Sequence, residues 1–233
     1  MDSATPFPAE WYERPINLLV AGADRPRVNL LALAVAQSVA DRFIWLDVRD
    51  PFDPPSPLER RALALIPPEL RFIARRPEML KPNDAAANLA LWTVGSGDPT
   101  HSAPPLADEL RIPAFLRDIL GRVVRTGAPV PLVLANADRL AEYYPEGESA
   151  TRGWLKLLQQ EEVSLIVSWS GSARSDVVAF ESVLRLELPP GSSLDASQVI
   201  VDRFAPESAL WRPGSVHGIG EIPHLSELWG LRG

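Results

Sequence analysis

Short apolar runs alternating with longer amphipathic ones constrain this chain more than any other feature. The strand-like runs are Ile16 to Ala21, Phe43 to Val48, Leu70 to Ala74, Leu89 to Val94, Val130 to Ala135, Ser164 to Trp169, Val183 to Leu188 and Val199 to Phe204. Between several of them, apolar residues return every three or four positions, which predicts helices over Val28 to Ala40, Leu58 to Leu65, Ala114 to Arg125 and Thr151 to Glu161. Prolines, 24 in all, cluster in the breaks, as in "DPFDPPSP", "IPPEL" and "LPPGSS", where a fixed φ and a missing N–H do least harm. Strands separated by helices need crossover connections, so the expected class is α/β, a mainly parallel sheet flanked by helices.

The end of the chain breaks this rhythm. In "SVLRLELPPGSSLDASQVIVDRF" two strand-like runs flank a Pro-Gly-Ser turn with no room for a helix, which predicts an antiparallel hairpin at one sheet edge. The stretch from Thr93 to Pro113 reads as a long loop. The expected organisation is an N-terminal extension over 1–14, one domain over 15–205 and a C-terminal tail over 206–233.

Composition narrows the function classes. A net charge of -7 and a pI near 5.1 give no global positive field, which argues against nucleic acid as a partner. Without cysteine there is no disulfide, thiolate metal site or cysteine nucleophile. No run approaches the roughly 18–20 apolar residues of a membrane span, so the expectation is a cytoplasmic protein without a membrane partner. Three histidines, His101, His217 and His224, lie apart without ligand spacing, and no metal site is expected.

The first strand, loop and helix, "INLLVAGADRPRVNLLALAVAQ", have the order of a phosphate-binding loop. Such a loop reads G-x-x-x-x-G-K-[ST], with backbone N–H groups around the phosphates, a lysine on the outer phosphates and a hydroxyl on magnesium. From Gly22 the window is "GADRPRVN". Arg27 stands at the second glycine, Val28 at the lysine and Asn29 at the hydroxyl, while Asp24 adds a negative charge where phosphate would lie. Asp24 also suits an N-cap, with Pro26 in the first turn after it. Arg25 and Arg27 are the cations available to replace the lysine. A strand ending in a magnesium-directing carboxylate should follow, and "VPLVLANADRL" is the candidate. It ends in Ala135 and Asn136, with Asp138 a few residues further on.

With these pieces placed, the chain resembles the RecA/KaiC-like branch of P-loop ATPases over roughly 15–204, with degenerate Walker A and Walker B motifs. The second strand, "FIWLDVRDP", and the strand after the Walker B candidate, "VSLIVSWSGSA", extend the likeness. The resemblance implies a RecA-like sheet. It also implies an acidic site after the second strand, where Asp47 and Asp50 fall; a solvated loop carboxylate and an Asp-Pro turn are the plainer readings. Such chains, when they lose the phosphate-binding residues, serve as inactive partners, so the implied role is a non-catalytic, pseudo-ATPase subunit in assembly or regulation. Its partners would be another protein or further copies of itself, with no cofactor. One alternative is a regulatory switch that binds ATP and magnesium through Arg25 or Arg27; another is an enzyme of a different α/β class with its site at the strand carboxyl ends. Trp11, Trp211, Leu228 and Trp229 lie near the termini outside the expected sheet, and they either dock on the domain or bind a partner.

Overall fold

A computed structural model describes Phe7, Trp11 and residues 15–40, 43–48, 56–64, 71–74, 89–94, 131–138, 164–171, 180–193 and 196–230. Its centre is a nine-stranded sheet. The strands in chain order are β1 (Asn17–Gly22), β2 (Phe43–Val48), β3 (Arg71–Ala74), β4 (Leu89–Val94), β5 (Leu132–Ala135), β6 (Leu165–Ser170), β7 (Ser182–Glu187), β8 (Gln198–Arg203) and β9 (Val216–Gly218). Three helices are described, α1 (Arg25–Val39), α2 (Pro57–Ala64) and α3 (Leu225–Trp229). The predicted helices over Ala114 to Arg125 and Thr151 to Glu161 lie outside the described residues.

Across the sheet the order is β3-β4-β2-β5-β6-β1-β7-β8-β9. Every pairing from β3 to β7 is parallel, and β7-β8 and β8-β9 are antiparallel. This is a mainly parallel α/β sheet with an antiparallel edge. Its consequence for the site is that β1, β5 and β6 all end on one side. Strand β6 lies between the other two, in register with Asn17–Gly22 on one flank and Leu132–Leu134 on the other.

Burial follows from this order. In β1, Leu18, Leu19, Val20 and Ala21 are all buried, as expected of a central strand covered on both faces. In β7 the pattern alternates, with Ser182, Leu184 and Leu186 buried and Val183 and Arg185 half-buried, as in a strand that covers the core with one face only. The hairpin expected from the sequence is β7-β8. The three-residue β9, which the sequence did not signal, extends it outward.

Helix α1 starts three residues earlier than its apolar periodicity suggested. Asp24 is its N-cap, with Pro26 in the first turn. From Val28 to Ala36 all nine residues are buried, so the middle of α1 has no solvent face. One side packs on β1, β5 and β6; α2 and α3 cover the rest. The C-terminal segment is therefore part of the core. Leu225, Leu228, Trp229 and Trp211 are buried, and so are Phe7 and Trp11 at the other end of the chain. Trp11, Trp211, Leu228 and Trp229, for which docking on the domain and binding a partner were both open, are packed side chains of this chain. Among the described residues, no helix is long and apolar enough to cross a membrane.

Candidate functional site

The site lies at the carboxyl ends of β1, β5 and β6, beneath the N-terminus of α1. Gly22 closes β1 and α1 begins at Arg25, so Ala23 and Asp24 alone connect them. Of the phosphate-loop window, Arg27 is already helical, with Val28 and Asn29, where the helix was expected to begin, behind it. A Cβ on Gly22 would stand 2.8 Å from the Leu186 carbonyl oxygen and 2.9 Å from Val28 Cγ2. Close packing between β7 and α1 therefore requires glycine here. The Gly22 carbonyl accepts the Gly171 N–H at 2.8 Å, tying the end of β6 to the same turn.

The first turn of a helix offers N–H groups with no partner inside the helix and a partial positive charge. In this chain Asp24 takes that place. Its Oδ1 accepts the Arg27 N–H at 3.1 Å, and its other oxygen pairs with the Arg27 guanidinium. Trp229 of α3 lies against the far side of that guanidinium, with Arg27 Cζ 5.1 Å from the ring centroid, a cation–π distance. Arg25 reaches across to β5, where its Nη2 lies 2.6 Å from Asp138 Oδ2. Asp138 Oδ1 accepts the Ser170 N–H at 3.0 Å, which joins the ends of β5 and β6. Both arginines retain a buried Nε with no partner. Val28 is wholly buried, and its N–H bonds to the Asp24 carbonyl at 2.9 Å.

Below this layer lies a buried polar cluster. Asn29 Nδ2 donates to Glu59 Oε1 at 2.8 Å and to Asn136 Oδ1 at 3.0 Å. The Ser168 hydroxyl donates to Asn29 Oδ1 and accepts the Asn136 N–H at 2.8 Å. Glu59 is held in turn by its own helix start, where Ser56 N–H donates to Oε2 at 2.7 Å and Glu59 N–H to Ser56 Oγ at 3.2 Å. That is a capping box. Asn136 takes a left-handed backbone, φ 59°, which asparagine tolerates better than most residues.

The structure thus brings together Gly22, Asp24, Arg25, Arg27, Asn29, Asn136 and Asp138 from two segments of the chain. Asp47 lies on β2 in register with Ala135 and Thr93, and Asp50 lies outside the described residues. Sequence reasoning missed Glu59 and Ser168. Two signals were present, the S-x-x-E spacing of "SPLE" at the start of α2 and a lone serine inside the apolar run "LIVSW". Trp229, expected to dock on the domain or bind a partner, lies against Arg27 of this site. Among the described residues, no group of three histidine, aspartate or glutamate side chains is placed to hold a metal ion.

No protein-family model matches the chain, and no curated protein matches its sequence. Among solved structures, it is similar to a KaiC-like protein from the hyperthermophilic archaeon Pyrococcus horikoshii, at 12% identity over 89% of this chain and 88% of that one, with a TM-score of 0.48.

Proposed function

We propose that this chain is a non-catalytic protein of RecA-like fold that works through contacts with other proteins, further copies of itself included, and needs no nucleotide. The observation that carries this reading is the Asp24 carboxylate on the first turn of α1. An anionic ligand arriving there would meet a like charge already bonded to the N–H it requires. Arg27 is paired with that carboxylate and Arg25 with Asp138. At the position of a phosphate-binding lysine stands buried Val28, which offers neither charge nor hydrogen bond. Large apolar side chains remain exposed at the antiparallel end of the sheet, namely Leu188, Leu210 and Val216, and they supply apolar area for a protein contact.

A second reading, an ATP-binding switch, draws on the two spare Nε donors of Arg25 and Arg27. Its binding site would form only if nucleotide displaced the carboxylates from both guanidinium groups. Calorimetric titration of the purified chain with magnesium-ATP, alongside a light-scattering mass, separates the two. No heat up to millimolar nucleotide, with a mass above that of one chain, is the expected result. Micromolar binding overturns the first reading in favour of the second, and a monomer that binds no nucleotide overturns the self-assembly part of it.

A further inference from the structure

At the antiparallel end of the sheet, four aromatic rings pack around one another. Phe7 stacks on Trp11 at 5.2 Å and meets Trp211 at 4.8 Å. Phe204 stacks on Trp11 at 4.4 Å and on Trp211 at 5.1 Å. The Trp11 indole N–H donates to the Ala205 carbonyl at 3.0 Å. This cluster holds Phe7 and Trp11, which precede β1, onto the C-terminal part of the chain. A fifth ring, the imidazole of His217 on β9, stacks on Trp211 at 4.4 Å with an interplanar angle of 21°.

The partners of that imidazole are chemically demanding. His217 Nε2 lies 3.0 Å from the Leu210 carbonyl oxygen, which can only accept. Nδ1 lies 3.2 Å from a carboxylate oxygen of Glu221, which also accepts when ionised. A neutral imidazole has one N–H and one lone pair, so it can serve one of these acceptors and must turn its lone pair toward the other. Only the imidazolium donates to both. Its positive charge then also faces the Trp211 ring, a favourable arrangement. The neutral form has a different partner within reach, because the Ser215 hydroxyl lies 3.3 Å from Nε2 and can donate to a lone pair there.

We propose that His217 is a proton-operated clamp on Phe7 and Trp11. Charged, it grips the Leu210 carbonyl and the Glu221 carboxylate, and so fixes Trp211, the residue after Leu210, under Phe7. Neutral, it exchanges the Leu210 carbonyl for the Ser215 hydroxyl, and Trp211 keeps its own backbone bonds to Ser208 but loses the hold on the carbonyl before it and the charge stacked on its face. The aromatic cluster then loosens, and with it the hold on Phe7 and Trp11. The clamp therefore holds on the acid side and weakens as the pH rises.

The surroundings support a local switch. Glu221 is the one described ion-pair partner of His217. From β8, the residue in register with it is the neutral Val199. The other charges of that strand are engaged elsewhere, Asp202 with Arg185 and Arg203 with the Phe180 carbonyl. In the 205–215 segment, Ala205 is tied to Ser182 and Gly214 to Val201, and between them Leu210 is 65% exposed.

The test is a pH series on the full chain labelled with nitrogen-15. The His217 ring nitrogens report its protonation, and the indole N–H signals of Trp11 and Trp211 report the cluster. The expected result is a one-proton change of both indole signals that tracks His217. Glu221→Gln removes the carboxylate and is expected to move the midpoint to lower pH. Ser215→Ala removes the neutral form's alternative partner and is expected to move it higher. Indole signals that stay fixed while His217 titrates overturn the proposal, as does a midpoint unchanged in both variants, or a His217 that remains in one neutral tautomer throughout the series.

Discussion

The Arg25 guanidinium lies 2.6 Å from the Asp138 carboxylate, joining residues 113 positions apart in sequence. The pair links the start of α1 to the end of β5, and Asp138 passes the link to β6 through the Ser170 N–H. With 27% and 12% of the two side chains exposed, it is shielded enough to outweigh a surface ion pair. Asp138→Ala leaves Arg25 charged, half-buried and unpaired, and is expected to cost about 1.5–3 kcal/mol. Urea denaturation measures it. A loss within a few tenths of a kcal/mol would mean that water replaces the carboxylate without penalty.

Asp24→Ala removes both the N-cap of α1 and the partner of Arg27. Loss of such a cap costs about 0.5–2 kcal/mol, so the melting temperature should fall. The same change takes the negative charge off the first turn of α1. If self-occupation is what excludes nucleotide, the variant binds magnesium-ATP more tightly than the parent chain does, and equal absence of heat in both would place the exclusion elsewhere.

Val28→Lys combined with Asn29→Thr rebuilds the lysine and hydroxyl of a phosphate loop on paper. In the folded chain both positions are buried within α1, and Val28 Cγ2 already crowds Gly22. The expected outcome is loss of stability without gain of nucleotide affinity, since a buried ammonium has no partner there. Denaturation and calorimetry on one preparation check both halves. A stable variant that binds ATP would show that α1 can unwind at its first turn.

Asn29→Leu tests the buried polar cluster. The leucine fills similar space but leaves Ser168 and Asn136 without the amide that now joins them, and takes one bond from Glu59. Each buried polar group left unsatisfied costs about 1–3 kcal/mol, so the variant should unfold at clearly lower urea. A neutral result would show that the cluster re-pairs within itself.

Trp229→Ala empties a buried site against Arg27 and is expected to cost about 3–5 kcal/mol, the usual range for deleting a core aromatic ring. Trp229→Phe keeps a ring face for the guanidinium and should recover most of that loss. If both variants lose the same amount, the Arg27 contact contributes nothing and packing alone accounts for Trp229.

Strands β1 to β8 could be read from the sequence because each falls in a compact, largely apolar run bounded by proline or polar residues; β2 and β4 match their runs end to end. The N-cap role of Asp24 was also legible, since Asp-x-Pro before an apolar run carries its meaning locally. The first turn of α1 was harder to read. "RPR" has no apolar periodicity, and the cap and its proline, rather than the pattern, set where the helix starts.

What only the tertiary structure decided is which side chains meet. Residues as distant as Asn29, Glu59, Asn136 and Ser168 form one cluster because the parallel order of the sheet delivers the ends of β5 and β6 beneath α1. No local rule reports that pairing. The fate of the C-terminal segment belonged to the same level. Its apolar residues signal only that they must be buried, and the uncovered face of α1 determined where. The sequence by itself determined the elements, whose causes lie within a few residues of one another. The occupant of the α1 N-terminus and the cover over it depend on contacts between distant segments, which exist only after the chain has folded.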